Sequence, residues 1–109
     1  MPVNVGAIAN QILAEATNLG GDTWNKIQKA TPLYVKGYVQ SLADIAAGVS
    51  KGEITKSDAK MFVKNATLML VMGIANTSHI VLVEVQTFIN AVLGILKTAI
   101  NAALPVPVL

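Results

Sequence analysis

Apolar positions recur at helical spacing along the whole chain. At about 100° per residue, Val5, Ile8, Ala9, Ile12, Leu13, Ala16 and Leu19 share one face of a helix predicted over residues 4 to 19. Asn4, Asn10, Gln11, Glu15, Thr17 and Asn18 fall on the other face. Gly20 and Gly21 mark its end, because glycine readily takes the left-handed backbone that follows a helix. Asp22 or Thr23 is then expected to cap a short second helix reaching about Ala30. Pro32 breaks that helix and suits the first turn of the next. The third pattern, residues 33 to 49, puts Tyr34, Val35, Tyr38, Leu42, Ile45, Ala46 and Val49 on one face. Lys36, Gln40, Asp44 and Ala47 lie opposite.

Ser50, Lys51 and Gly52 read as a turn, and Thr55 or Ser57 as the N-cap of a fourth helix over residues 56 to 76. This helix starts amphipathic, with Lys60, Lys64 and Asn65 polar. Residues 68 to 75 are then apolar all round, the pattern of a helix buried in protein or in lipid. Asn76, Thr77, Ser78 and His79 interrupt it, as a turn or as a polar belt. From 80 to 104 the pattern is helical again. Val85, Phe88, Ile89, Val92, Leu93, Ile95, Leu96, Ala99, Ile100 and Ala103 occupy an arc of roughly 200°. Its polar face is mostly small and uncharged. Pro105 stops the helix, and an apolar tail follows. Residues 57 to 104 form either one rod of about 72 Å or a hairpin.

The fold class is therefore all-α, one helical domain over residues 1 to 109. Residues 1 to 55 hold wetter amphipathic helices, 56 to 104 a strongly apolar helical pair or long helix, and 105 to 109 the tail. Assembly with other copies is expected, because only 13% of residues are charged against 53% hydrophobic. Soluble domains average about 25% charged. Too few charges remain to cover a lone monomer, and the hydrophobicity excludes a disordered tail.

Charge is also uneven. Seven lysines and four acids lie between residues 22 and 64, whereas residues 65 to 109 hold only His79, Glu84 and Lys97. All eight basic residues are lysine, so the planar fork that reads guanine and phosphate is missing and nucleic acid is not expected as a partner. Cysteine is absent, which removes disulfides, thiolate metal sites and thiol nucleophiles. The first 20 residues lack the basic start and continuous apolar core of a cleavable signal.

A spanning helix needs about 20 mainly apolar residues. Residues 65 to 83 form a stretch of nineteen without Lys, Arg, Asp or Glu, but six of them are polar. The stretch 85 to 96 has only twelve residues, about 18 Å of helix. An embedded hairpin or an interfacial helix lying flat fits better than a single span. A soluble helical oligomer with the last two helices at its centre fits the same pattern.

Little chemistry emerges. His79 and Glu84 are five apart, a poor spacing for one helical face, and a role as cap or polar-belt residue suits His79. Glu84 and Lys97 are candidates to pair between helices or between copies. Asp44, Glu53 and Asp58 sit among lysines on solvated positions, where general acid–base work is not expected. Gly20 and Gly21 lack the glycine and lysine of a phosphate loop. No catalytic, metal or cofactor-binding residues are assigned, no cofactor is expected, and the chain does not read as an enzyme.

Contact residues are assignable. Leu68, Leu70, Val71, Ile74, Phe88, Ile89, Val92 and Leu96 are the expected contacts with membrane or other copies. Gly73 and Gly94 are expected to allow close helix approach. Lys51, Lys56, Lys60 and Lys64 are candidates for anionic headgroups or a charged partner. Trp24, Tyr34 and Tyr38 beside lysines suit either a membrane interface or ordinary core packing.

The run from Gly52 through Glu53, Ile54, Thr55, Lys56, Ser57 and Asp58 to Ala59, the apolar helix after it, and the run from Lys97 to Leu104 resemble small helical structural proteins of bacterial viruses. In layout and composition, over about half of the chain, they are similar to membrane-associated virion proteins of icosahedral phages with an internal membrane. That resemblance implies a non-enzymatic, multi-copy protein between capsid and lipid, with capsid proteins among its partners. It assigns no residue a role.

Three functions follow as expectations. The first is a membrane-associated structural protein or virion component that embeds its C-terminal half in lipid or in a multi-copy assembly. The second is a soluble, cytoplasmic homo-oligomeric bundle acting as scaffold or adaptor. The third is a membrane-permeabilising toxin. The partners are a lipid bilayer, copies of the chain, or both.

Overall fold

A computed structural model describes residues 3 to 109. It contains five helices: α1 (Val5–Leu19), α2 (Gly21–Ile27), α3 (Thr31–Ser50), α4 (Lys56–Ser78) and α5 (Leu82–Ala102). No strand occurs among the described residues. The four long helices contact one another in a ring, α1 on α3, α3 on α4, α4 on α5 and α5 back on α1. The start of α1 meets the ends of α3 and α5, through Asn4, Ala7, Ser50 and Ala103 around one cleft. Tyr34 near the start of α3 meets Thr77 near the end of α4. Every neighbour therefore runs antiparallel, giving an up-down four-helix bundle with α2 as an inserted bend. The particle measures 42 × 22 × 20 Å.

Local chemistry sets the boundaries. The side chain of Asn4 accepts a 3.0 Å hydrogen bond from the Ala7 amide and starts α1. Gly20, at φ 55°, ends α1 and opens α2. Neither Asp22 nor Thr23 is the cap expected of it. The helix starts two residues earlier than an Asp22 cap would set it, at Gly21 with Gly20 as its cap, and Asp22 sits in its first turn. It also ends earlier than expected, at Ile27. Gln28 and Ala30 keep right-handed helical backbone, so the chain bends rather than breaks. Thr31, fully buried, donates a 2.8 Å hydrogen bond to the Ile27 carbonyl across that bend. Pro32 falls in the first turn of α3, where its missing N–H costs nothing.

Thr55 caps α4 by accepting from the Asp58 amide at 3.0 Å. The hairpin alternative holds at the other end of α4, and the 72 Å rod is excluded. Asn76, Thr77 and Ser78 remain helical, and His79 turns the chain with a left-handed φ of 56°. The Ile80 amide closes the turn on the Ala75 carbonyl at 3.1 Å. His79 is thus the cap, one of the two roles its position allowed. α5 stops at Ala102, and the tail folds back on it. Asn101 accepts from the amides of Val108 (3.1 Å) and Leu109 (2.9 Å) and donates to the Leu109 carbonyl (3.1 Å).

The core runs the length of the bundle. Ile12, Ile27, Leu42, Ile74, Ile89 and Ile100 are fully buried, each stabilising the fold by roughly 1.5–3 kcal/mol against exposure. Val39, Ala43 and Gly48 join the α3 face read from the sequence. Leu19, Ile95, Ala99 and Ala103 leave theirs and are exposed. A four-helix ring covers a narrower arc of α5 than its apolar pattern spans.

Candidate functional site

No three His, Cys, Asp or Glu side chains among the described residues gather into a group able to hold a metal ion. Glu84 belongs to one end of the bundle. It accepts a 2.9 Å hydrogen bond from the Thr23 hydroxyl and lies 3.8 Å from the Lys26 ammonium. The expected pairing of Glu84 with Lys97 does not occur within the chain. The two stand near opposite ends of α5, and α2 supplies the partners instead.

The expected lipid or inter-copy contacts divide sharply. Leu70, Val71, Ile74, Ile89 and Val92 are buried in the chain's own core. Phe88 is half-buried and stacked on Trp24, with ring centroids 6.0 Å apart and planes 14° apart. Leu96 is half-buried, and only Leu68 is exposed. These five core residues face inward because the hairpin folds α4 and α5 against each other and against α3 and α1. In this fold they present no surface to lipid or to another copy.

The exposed apolar surface lies elsewhere, on the outer side of α4. Met61, Phe62, Leu68, Met69 and Met72 are all exposed, Met69 at 72%. At about 100° per residue Met61, Leu68 and Met72 lie opposite the buried Val63, Leu70 and Ile74, whereas Phe62 and Met69 stand on the flank that borders α3. A helix that reads as apolar all round therefore has two apolar faces, one packed and one bare. Large apolar side chains gathered on the exposed part of one helix mark a candidate interaction surface. Lys60 and Lys64 stand in the second and third turns of the same helix and are exposed. Leu33 (76% exposed), Val81, Leu82 and Val83 are bare at the end of the bundle that holds the α4–α5 turn. By length and composition alone, α5 is the one described helix long and apolar enough to cross a membrane.

Between α3 and α4 runs a groove of about 590 Å³, lined by Tyr34, Tyr38, Ser41, Asp44, Phe62, Asn65 and Met69 among others. Tyr34 and Thr77 share a hydrogen bond of 2.7 Å, and Tyr38 and Thr67 one of 3.0 Å. Burial pushes the Tyr38 hydroxyl above its ordinary 10.0, and the Thr67 hydrogen bond opposes that rise. The two tyrosines thus serve helix packing, one of the two roles their sequence setting allowed.

The two glycines differ. A methyl group at Gly73 would come within 2.5 Å of Tyr34 Cε1. Gly73 is therefore a close-approach position, and the group that approaches is a ring rather than a backbone. At Gly94 a methyl group would meet nothing within 4 Å. No close approach occurs there within the chain. Gly48, absent from the sequence reading, is the tighter case, because a methyl group there would collide with the Ile54 side chain.

The candidate lysines separate too. Lys56 and Lys60 line a cleft of about 420 Å³ with Lys97, which the sequence reading had set apart. Lys51 and Lys64 do not line it. The tail that Asn101 holds forms the cleft's apolar wall. Sequence spacing gave no signal for this, because Lys60 and Lys97 meet only after the α4–α5 hairpin closes.

No protein-family model matches the chain, and searches of curated proteins and of solved structures give no match.

Proposed function

We propose that the chain is a non-enzymatic structural protein that works as a folded bundle at a lipid surface, attached by the outer face of α4. The bare stripe of Met61, Phe62, Leu68, Met69 and Met72 is the observation that carries this reading. Such a stripe suits the boundary of headgroups and acyl chains, where an amphipathic helix lies in the plane of the membrane. Lys60 and Lys64 on the same helix add attraction to anionic headgroups, on the order of 1 kcal/mol each near the surface. The flexible thioethers of the three methionines adapt to an irregular surface. The resemblance to small virion proteins of internal-membrane phages suggests the setting: a multi-copy layer between a membrane and a protein shell.

Flotation with anionic vesicles tests it. The protein is expected to float in low salt and, in part, in high salt. Met69→Asp with Leu68→Asp should leave it at the bottom in both while its helical circular dichroism is unchanged. A double variant that floats like the parent rules out α4 as the attachment face.

A second reading rests on α5. Ile95 is exposed at 55%, and Gly94 beside it leaves space that none of the described residues fills. A second copy packed there would make the oligomeric scaffold. Gly94→Leu should lower the oligomer's mass in light scattering under this reading and leave the flotation of the first reading intact.

A further inference from the structure

The cleft at the far end of the bundle from the α4–α5 turn combines two kinds of lining. Lys56 and Lys60, one turn apart at the start of α4, and Lys97, near the end of α5, supply three ammonium groups. Val49, Ala59, Val106 and Val108 supply apolar walls. Among the described residues, none of the three lysines has a carboxylate within 4 Å, the single ion pair being Lys26 with Glu84. Lys56 also stands in the first turn of α4, at the positive end of the helix dipole, where a cation is disfavoured. All three side chains are exposed and open to an incoming anion.

We propose that this cleft binds a single-chain anionic amphiphile, its carboxylate or phosphate head held by Lys56, Lys60 and Lys97 and its alkyl chain laid against the tail. The volume of about 420 Å³ falls in the ordinary range for small-molecule pockets. Asn101 is a positioning residue. Its three hydrogen bonds to Val108 and Leu109 fix the tail that forms one wall. The site shares Lys60 with the attachment proposed through α4, and Met69→Asp with Leu68→Asp, which leaves all three cleft lysines in place, separates the two.

The test is calorimetric titration of the full chain with dodecyl phosphate below its micelle concentration, with inorganic phosphate run in parallel. Dodecyl phosphate is expected to bind in a one-to-one ratio, and inorganic phosphate at least tenfold more weakly. Lys56→Gln, Lys60→Gln and Lys97→Gln together should weaken dodecyl phosphate binding at least tenfold, whereas Lys36→Gln on α3 should not change it. Asn101→Ala, with folding checked by circular dichroism, should weaken dodecyl phosphate and leave inorganic phosphate unaffected. Equal binding of the two phosphates, binding that survives the triple variant, or binding only to phosphatidylglycerol vesicles and not to the monomeric amphiphile each overturns the proposal.

Discussion

The ring of Tyr34 occupies the space that a side chain at Gly73 would need, with Tyr34 Cε1 2.5 Å from where that Cβ would stand. This one fit ties the start of α3 to the end of α4. It is reinforced four residues further along α4 by the 2.7 Å hydrogen bond of Tyr34 with Thr77.

Two identical substitutions should therefore have opposite signs. Gly94→Ala meets open space on a helix and should stabilise by up to about 1 kcal/mol through helix propensity. Gly73→Ala gains the same propensity but must displace the tyrosine ring, and overpacking costs about 1–3 kcal/mol. A net loss of about 1 kcal/mol is expected in urea unfolding midpoints. A stabilised Gly73→Ala would mean that the ring moves aside freely.

The contact of Trp24 with Phe88 joins α2 to α5. Phe88→Ala should cost about 2 kcal/mol, less than a fully buried phenylalanine because Phe88 is half-buried. Trp24 is the chain's single tryptophan, so its emission should shift to the red in the same variant. Unchanged emission would show that the stack is not kept in solution.

Tyr38 should make the fold sensitive to alkali. Its folded pKa lies above the unfolded 10.0, so the unfolded chain loses the proton first as pH rises. The stabilisation is complete below pH 10 and declines above it, up to the folded value. Tyr38→Phe should flatten the part of the alkaline stability loss that belongs to this group. Ultraviolet titration should show Tyr38 ionising above the ordinary tyrosine value of 10.0. Ionisation at or below that value would contradict the burial of Tyr38.

How far the sequence carries the structure depends on the residue. The inner faces of α1 and α3 follow from spacing alone, because each helix meets the core along one stripe, as Ile8, Ile12, Val35 and Leu42 show. The break at His79 is legible as a polar interruption, yet its sharpness rests on one left-handed residue that composition does not reveal. The α4 segment from 68 to 75 is the least legible. With apolar residues all round, period alone cannot say that Leu70 and Ile74 turn inward while Leu68 and Met69 face out. That choice is made by α3 and α5 when they pack on it. The cleft of Lys56, Lys60 and Lys97 and the clasp of the tail by Asn101 also need tertiary contacts between distant segments.

The central claim is that the bundle stays folded at the lipid surface and meets it with α4. The chain has no cysteine, so single introduced thiols can carry an environment-sensitive fluorophore at Met69→Cys on α4 or Ala91→Cys on α5, both exposed. Anionic vesicles containing lipid-borne nitroxides are then added, and quenching is read at each position. Strong quenching at position 69 with little at 91 is the predicted result. Equal quenching at both positions, or quenching at 91 alone, would mean that α5 leaves the bundle for the membrane, and would contradict the account.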